Sequence, residues 1–284
     1  MIENSSSEPK IVKPKVPNTE RISLMTKPRL ILRSVLAVLG LVTIYSLVTI
    51  DMAGLKLKDA FHSLGLNLNA MFLHPNVGQD SWSVLLRGLS TSIALTLLTT
   101  LLGAVIAFFI AVFSARNLSP TWVANTLKAV MAFIRSIPTI IWVLIYSAVM
   151  GLGANAAVVG LTFHSIAYLV KAYSESIEET PQATIEALKA SGVRFWPIIF
   201  QAILPSIVPA LLSWTFIRFE INFANAVAVG AAAGADDIGY YLFMASGFYF
   251  DFHEVGLIVY LLLGFAIILE LISMRLRGHY LKSN

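Results

Sequence analysis

The sequence contains no cysteine, which excludes a disulfide framework, a thiolate metal site and a cysteine nucleophile. It is also poor in charge: Asp, Glu, Lys and Arg make up 13% of the residues, about half the share of a typical soluble domain. No Gly-x4-Gly-Lys-Ser/Thr phosphate loop is present, so the chain is not expected to hydrolyse ATP by itself. His253-Glu254 lacks the second histidine of a zinc-protease helix, and no nucleophile elbow occurs. The net charge of +4 is small, and the basic residues flank apolar segments, so nucleic acid is not an expected partner.

What the chain has is apolar length. Apolar residues make up 57% of it, and several stretches approach the ~20 residues that a helix needs to cross a bilayer. The expected fold class is all-α, a polytopic transmembrane helical domain of about six spans. We place them near Leu30–Ile50, within Val84–Phe113, and near Ile137–Met150, Ala156–Tyr173, Pro205–Val229 and Val255–Met274. The second run is longer than one crossing requires, so its start is expected along the outer surface. The third continues from an interfacial stretch that begins near Trp122. The first is too long for a signal-peptide core and reads as a retained span.

Orientation follows from the basic residues. With the N-terminus inside, all but Lys56, Lys58, Arg87 and Arg218 of the 20 lysines and arginines fall on inner segments or inner span ends. The outer side is acidic, with Asp51, Asp59, Asp80, Asp236, Asp237, Asp251 and Glu254. Both termini are then cytoplasmic. The chain divides into a disordered tail over 1–29, a first span with an outer amphipathic segment over 30–83, a core over 84–276, and a C-terminus over 277–284. The outer segment Leu55–Pro75 suits an amphipathic surface helix or an ordered loop.

Between the fourth and fifth spans lies a loop, 178–205, that the charge bias places in the cytoplasm. Pro181 stops any helix entering from the fourth span. Thr184 is suited to cap a short helix over Ile185–Ser191, and Gly192 to end it. That helix would present Glu186 and Lys189 outward. Phe195, Trp196 and Pro197 then lead back to the membrane.

Glu186, Ala187, Gly192, Leu204 and Pro205 stand in the register of the EAA loop (Glu-Ala-Ala, three residues, Gly, nine residues, Ile-x-Leu-Pro). Leu188 replaces the second Ala of that pattern, and Ala202 its Ile. The loop resembles that of ABC importer permeases of type I. Phe133-Ile-Arg-Ser-Ile-Pro138 and Arg218-Phe-Glu220-Ile-Asn222 look like segments of the phosphonate-type branch. The likeness covers roughly residues 84–276.

The resemblance implies a homodimer of permease copies in the bacterial plasma membrane. It implies two cytoplasmic ATP-binding subunits, which carry the ATP and magnesium, an extracytoplasmic substrate-binding protein, and no cofactor in this chain. The ATPase-coupling residues would be Glu186, Ala187, Lys189, Gly192 and Pro205. The implied cargo is a phosphonate or related oxyanion; a different small metabolite is the rival, and an ion-coupled secondary transporter a second one. The branch commonly carries an Arg where Ala224 stands here, and Asp236-Asp237 replace two glycines of its outer turn. Both departures make an anion less favourable on Coulomb grounds, unless those acids face a partner or solvent.

Charges inside a span need partners or water. Arg218 and Asn222 share a helix face, Glu220 does not share it with Arg218, and Asn225 could extend the stripe. Either these residues, with His164 of the fourth span, line a translocation path, or Arg218 pairs with another span. His164 alone suits a bond to a neighbouring helix better than a ligand.

Overall fold

A computed structural model describes residues 27–49 and 56–281. Residues 1–26 of the expected tail, together with Asp51 and Lys282, lie outside the described residues. The chain forms two compact units, residues 1–60 and 61–284. In the first, α1 (Lys27–Thr49) is an apolar helix of 23 residues, long enough to cross a hydrocarbon core of about 30 Å. α2 (Leu57–Leu73) begins at the end of that unit and belongs mostly to the second; of the two forms the outer segment suits, helix or ordered loop, it is a helix.

The second unit is a bundle of α3 (Trp82–Ser114), α4 (Thr121–Ser136), α5 (Thr139–Met150), α6 (Ala154–Glu178), α7 (Gln182–Ala190), α8 (Phe195–Pro197), α9 (Leu204–Ala233), α10 (Ile238–Met244) and α11 (Phe252–Leu281). Five described helices are long and apolar enough to cross a membrane, or six if α4 and α5 form one bent span. The expected number therefore depends on that bend, which measures 86°.

The bend has a local cause. Pro138 has no N–H and disfavours helical geometry at the residue before it. Ile137 is accordingly extended, at φ −94° and ψ 126°. The break frees carbonyls, and the indole Nε1 of Trp142 donates to that of Ile134 at 3.0 Å.

Two boundaries differ from the sequence reading. α3 is one continuous helix of 33 residues, about 50 Å long, and it starts at Trp82, ahead of the expected Val84. The fifth span extends back beyond Pro205. Phe195 to Ala233 is a continuous helical run, because Ile198–Ile203 forms a π-type turn in which the Leu204 N–H reaches the Ile199 carbonyl. Pro205, which cannot donate, follows in the first turn of α9, so the widened turn falls where a proline interrupts the hydrogen-bond ladder.

The core is laid down in three apolar layers. At the α7 end, Ala107 and Ala111 of α3 pack with Tyr173 and Ile177 of α6, Ile185 of α7, and Ile203 and Ile207. In the middle, Leu95, Val143, Leu161 and Ala226 meet. At the α10 end, Leu85, Ile238 and Ile258 meet. α5 approaches α6 closely because Gly160 has no side chain: a Cβ there would lie 2.7 Å from the Val143 Cα. Such small-residue contacts let membrane helices pack backbone to backbone.

Candidate functional site: a surface helix and a buried polar network

α6 stops at Glu178, two residues before the Thr180-Pro181 pair. Pro181 then occupies the N-cap of α7. This corrects the expectation that Thr184 caps the helix: α7 begins at Gln182, and Thr184 lies in its first turn. A proline just ahead of a helix costs no hydrogen bond, since the first turn has no internal acceptors for its N–H groups. At the other end Gly192 has φ +81°, the left-handed conformation that glycine adopts most readily. Its N–H donates to the Lys189 carbonyl at 3.0 Å, and the Val193 N–H to that of Leu188 at 3.1 Å, so two of the carbonyls left free at the end of α7 are satisfied.

Ile185, with Leu188 packed beside it, fixes α7 to the bundle. Ile185 is fully buried among Ile177, Ile198, Ile199 and Ile203, while Glu186, Ala187 and Lys189 are exposed, as is Pro205 at the foot of α9. The Glu186 carboxylate accepts from Gln182 Nε2 at 3.0 Å, one helical turn away. Between α7 and the foot of α9 lies a groove of about 350 Å³, floored by Ile185, Leu188, Ile203 and Ile207 and edged by Thr184 and Ser206. α7 is thus a short helix with an anchored apolar side and an open charged side.

Glu178 anchors the segment just ahead of α7. Its Oε1 accepts from Lys128 Nζ and from the Arg116 N–H, each at 2.7 Å, and Asn117 Nδ2 donates to the Ile177 carbonyl at 2.8 Å. The end of α6 is therefore tied to α4 and to the α3–α4 turn. Glu178 had no expected role. Its signal in the sequence was the acid-rich run Glu175–Glu179 facing Arg116 and Lys128 on the same inner side.

Deeper in the bundle, the residues expected as an α9 stripe separate into two groups. Arg218 and Asn222 are buried and belong to one network with His164. Arg218 Nε donates to Ser165 Oγ at 3.1 Å and Nη2 to His164 Nδ1 at 3.0 Å. Its guanidinium carbon lies 5.1 Å from the Tyr168 ring centre, within cation–π range. Asn222 Nδ2 donates to Thr100 Oγ1 and Ser165 Oγ, both at 2.9 Å. Glu220 and Asn225 make none of these bonds. Both are half-buried, and Glu220 Oε1 has no hydrogen-bond partner among the described residues. Since Arg218 can only donate, His164 Nδ1 is an acceptor and the ring proton sits on Nε2. Thr139 Oγ1, 3.2 Å from Nδ1, is then a second donor to it.

The two acids of the outer turn have different fates. Asp237 is fully buried and caps α10, its carboxylate accepting from the Tyr240 N–H at 3.0 Å and from Ser92 Oγ at 3.2 Å. Burial raises its carboxyl to a pKa of about 6, against those hydrogen bonds. Asp237 thus faces the bundle, which corrects the expectation that both acids stand toward substrate, partner or solvent. Asp236 is exposed, has φ +52°, and accepts from the Tyr241 hydroxyl.

Residues 107–282 match the family of binding-protein-dependent transport system inner membrane components. The chain is 29% identical over 204 residues to the phosphite transport system permease PtxC of Stutzerimonas stutzeri, covering 72% of each chain. It is 29% identical to the phosphate-import permease PhnE of Mycolicibacterium smegmatis over 65% of this chain and 37% of that one. Among solved structures, the inward-facing MetNI methionine ABC transporter aligns with a TM-score of 0.64 at 22% identity, over 71% of this chain and 99% of that one. A bacterial alginate ABC transporter aligns with a TM-score of 0.59 at 14% identity, over 88% and 98%. With a multi-pass helical bundle and a short surface helix in EAA register, the chain belongs to the binding-protein-dependent inner membrane component family and is the permease subunit of an ATP-binding-cassette importer.

Proposed function

We propose that two copies of this chain form a homodimeric permease in the bacterial plasma membrane. Its termini and α7 face the cytoplasm, and it carries a small phosphorus oxyanion inward. The observation that carries the coupling role is the geometry of α7: a helix pinned by Ile185 that turns Glu186, Ala187 and Lys189 outward and ends at the left-handed Gly192. Such an element suits docking into a cleft of an ATPase subunit. Two ATPases would hold ATP and magnesium, this chain needing no cofactor of its own, and a binding protein would deliver the substrate on the other side. Pro205 and the π-type turn at the foot of α9 lie next to α7, so movement of α7 reaches α9 directly. On α9, Arg218, Glu220, Asn222 and Asn225, with His164 on α6, border the path.

The substrate class rests on relatives that are named for phosphite and phosphate. The burial of Asp237 supports it further, because one of the two acids that weighed against an anion is turned into the fold. Reconstitution into liposomes with the cognate ATPase and binding protein tests the whole reading. Uptake of phosphite or methylphosphonate should require ATP. Uptake that persists without ATP, following an ion gradient, would establish a secondary transporter instead. Uptake of methionine in preference to these anions would overturn the substrate class.

A further inference from the structure

His164 stands where three elements meet. Its Nδ1 accepts from Arg218 of α9 and from Thr139 in the first turn of α5. The imidazole therefore joins the start of α5, just past the break from α4, to the guanidinium of α9. Carbonyls freed at a helix break need donors from elsewhere. The break at Ile137-Pro138 finds one in Trp142, whose indole reaches the Ile134 carbonyl, and Thr139 beside it is tied to His164.

We infer that His164 is a positioning residue that transmits displacement of α9 to the bend between α4 and α5. The inference rests on the coupling role proposed for α7. Ile185 of α7 packs against Ile203, and Ile203 and Ile207 belong to the same apolar layer. Arg218 lies eleven residues beyond Ile207 on the same helix, about 16 Å along its axis. α9 is one helix from Leu204 to Ala233 with Pro209 inside it, and through that continuous element a movement at its foot reaches the guanidinium. Arg218 holds α6 twice, through Ser165 and His164, and His164 passes the contact on to Thr139, beside the bend. α5 also packs directly on α6 nearby, through Val143 against Gly160 and Trp142 against Phe163, but those contacts are apolar and the link through His164 is hydrogen-bonded. The bend is the one place among the described residues where a span is broken by more than 40°. It is therefore the point at which the angle of a span changes with least disruption of its ladder.

Substitution at His164 separates this role from plain packing. Gln supplies an acceptor for Arg218 and Thr139, whereas Leu fills similar volume without one. The absence of native cysteine allows single reporters to be attached without background. A bimane label is placed at Ala190 of α7 in one series and at Leu144 of α5 in another. Each is read in the liposome-reconstituted transporter with its ATPase, with and without ATP and vanadate.

The expected result is an ATP-dependent emission shift at both positions in the parent. In His164→Leu the shift at Ala190 is kept and that at Leu144 is lost, and His164→Gln restores at least about half of it. Transport in His164→Leu should fall about tenfold or more, the equivalent of one charge-assisted hydrogen bond. An unchanged shift at Leu144 in His164→Leu would overturn the inference. So would a loss in His164→Gln as complete as in His164→Leu. No shift at Ala190 in the parent would refute the coupling role of α7 instead. If His164→Leu does not fold, Thr139→Val, which keeps the shape and removes the donor, is read in the same way.

Discussion

Arg218 and His164 meet between α9 and α6, with Nη2 donating to Nδ1 over 3.0 Å, and no carboxylate stands within ion-pair distance of the arginine among the described residues. Its charge is held by a hydroxyl, an imidazole and the face of Tyr168. An apolar side chain of similar volume removes the desolvation cost of this buried charge, at the loss of its hydrogen bonds. The contacts left behind keep other donors: Thr139 still reaches His164 Nδ1, and Asn222 still reaches Ser165. Arg218→Met should therefore leave thermal unfolding in detergent within about 1 kcal/mol of the parent, while transport in liposomes falls sharply. A large loss of stability would show that the arginine is kept for the fold.

Gly192 has φ +81° with nothing within 4 Å of a built Cβ, so a side chain there has room and only the backbone is strained. Gly192→Ala should cost about 1 kcal/mol at the end of α7, and Gly192→Asn less, because asparagine tolerates the left-handed region. Co-purification of the ATPase checks this: Asn should retain it better than Ala. The reverse order would show that size rather than backbone geometry matters.

Glu178 accepts from Lys128 and from the Arg116 N–H at once. Glu178→Gln keeps the shape and weakens both contacts, whereas Glu178→Ala leaves a half-buried ammonium without its partner. The first should cost about 1 kcal/mol and the second roughly twice that. Proteolysis of the loop around α7, followed by mass spectrometry, should speed up in the same order.

The carboxyl of Asp237 is raised to about 6 by burial, from an ordinary value near 3.8. An acid raised in the fold is easier to keep protonated in the native state than in the unfolded one. Its contribution is therefore most favourable below about pH 4 and declines as pH rises to about 6. Around the α10 turn, stability should increase as pH is lowered from 7 to 5. Asp237→Asn, which keeps an acceptor for the Tyr240 N–H, should remove that dependence. Hydrogen exchange of the α10 amides at both pH values checks it, and equal slopes in the two proteins would refute the assignment.

The membrane class, most spans and the α7 loop were legible because each depends on local chemistry. Apolar length gives a span, Pro181 separates α6 from α7, and Gly192 ends α7. The helix start was misplaced at Thr184 because a capping side chain is a stronger pattern than a proline, although Pro181 serves equally well. The π-type turn at Ile198–Ile203 left no mark, since its residues are ordinary helix formers and only the packing reveals the shift. Periodicity placed Arg218 and Asn222 on one face but could not say what that face meets. Asp237 looked like a surface acid because its partners, Ser92 and the turn of α10, are far away or invisible in sequence.

Arg218 also has an electrical consequence. An unpaired elementary charge carried on a membrane helix feels the transmembrane voltage, at about 2.3 kcal/mol per 100 mV for a full crossing. An axial shift of α9 by a tenth of the hydrocarbon thickness would couple to about 0.2 kcal/mol per 100 mV in each copy. With α7 on the cytoplasmic side, as proposed above, and the cell interior negative, the field draws the guanidinium toward the α7 end. The resting position of α9 thus acquires a small bias, set by the energised state of the membrane, which Arg218→Met would abolish.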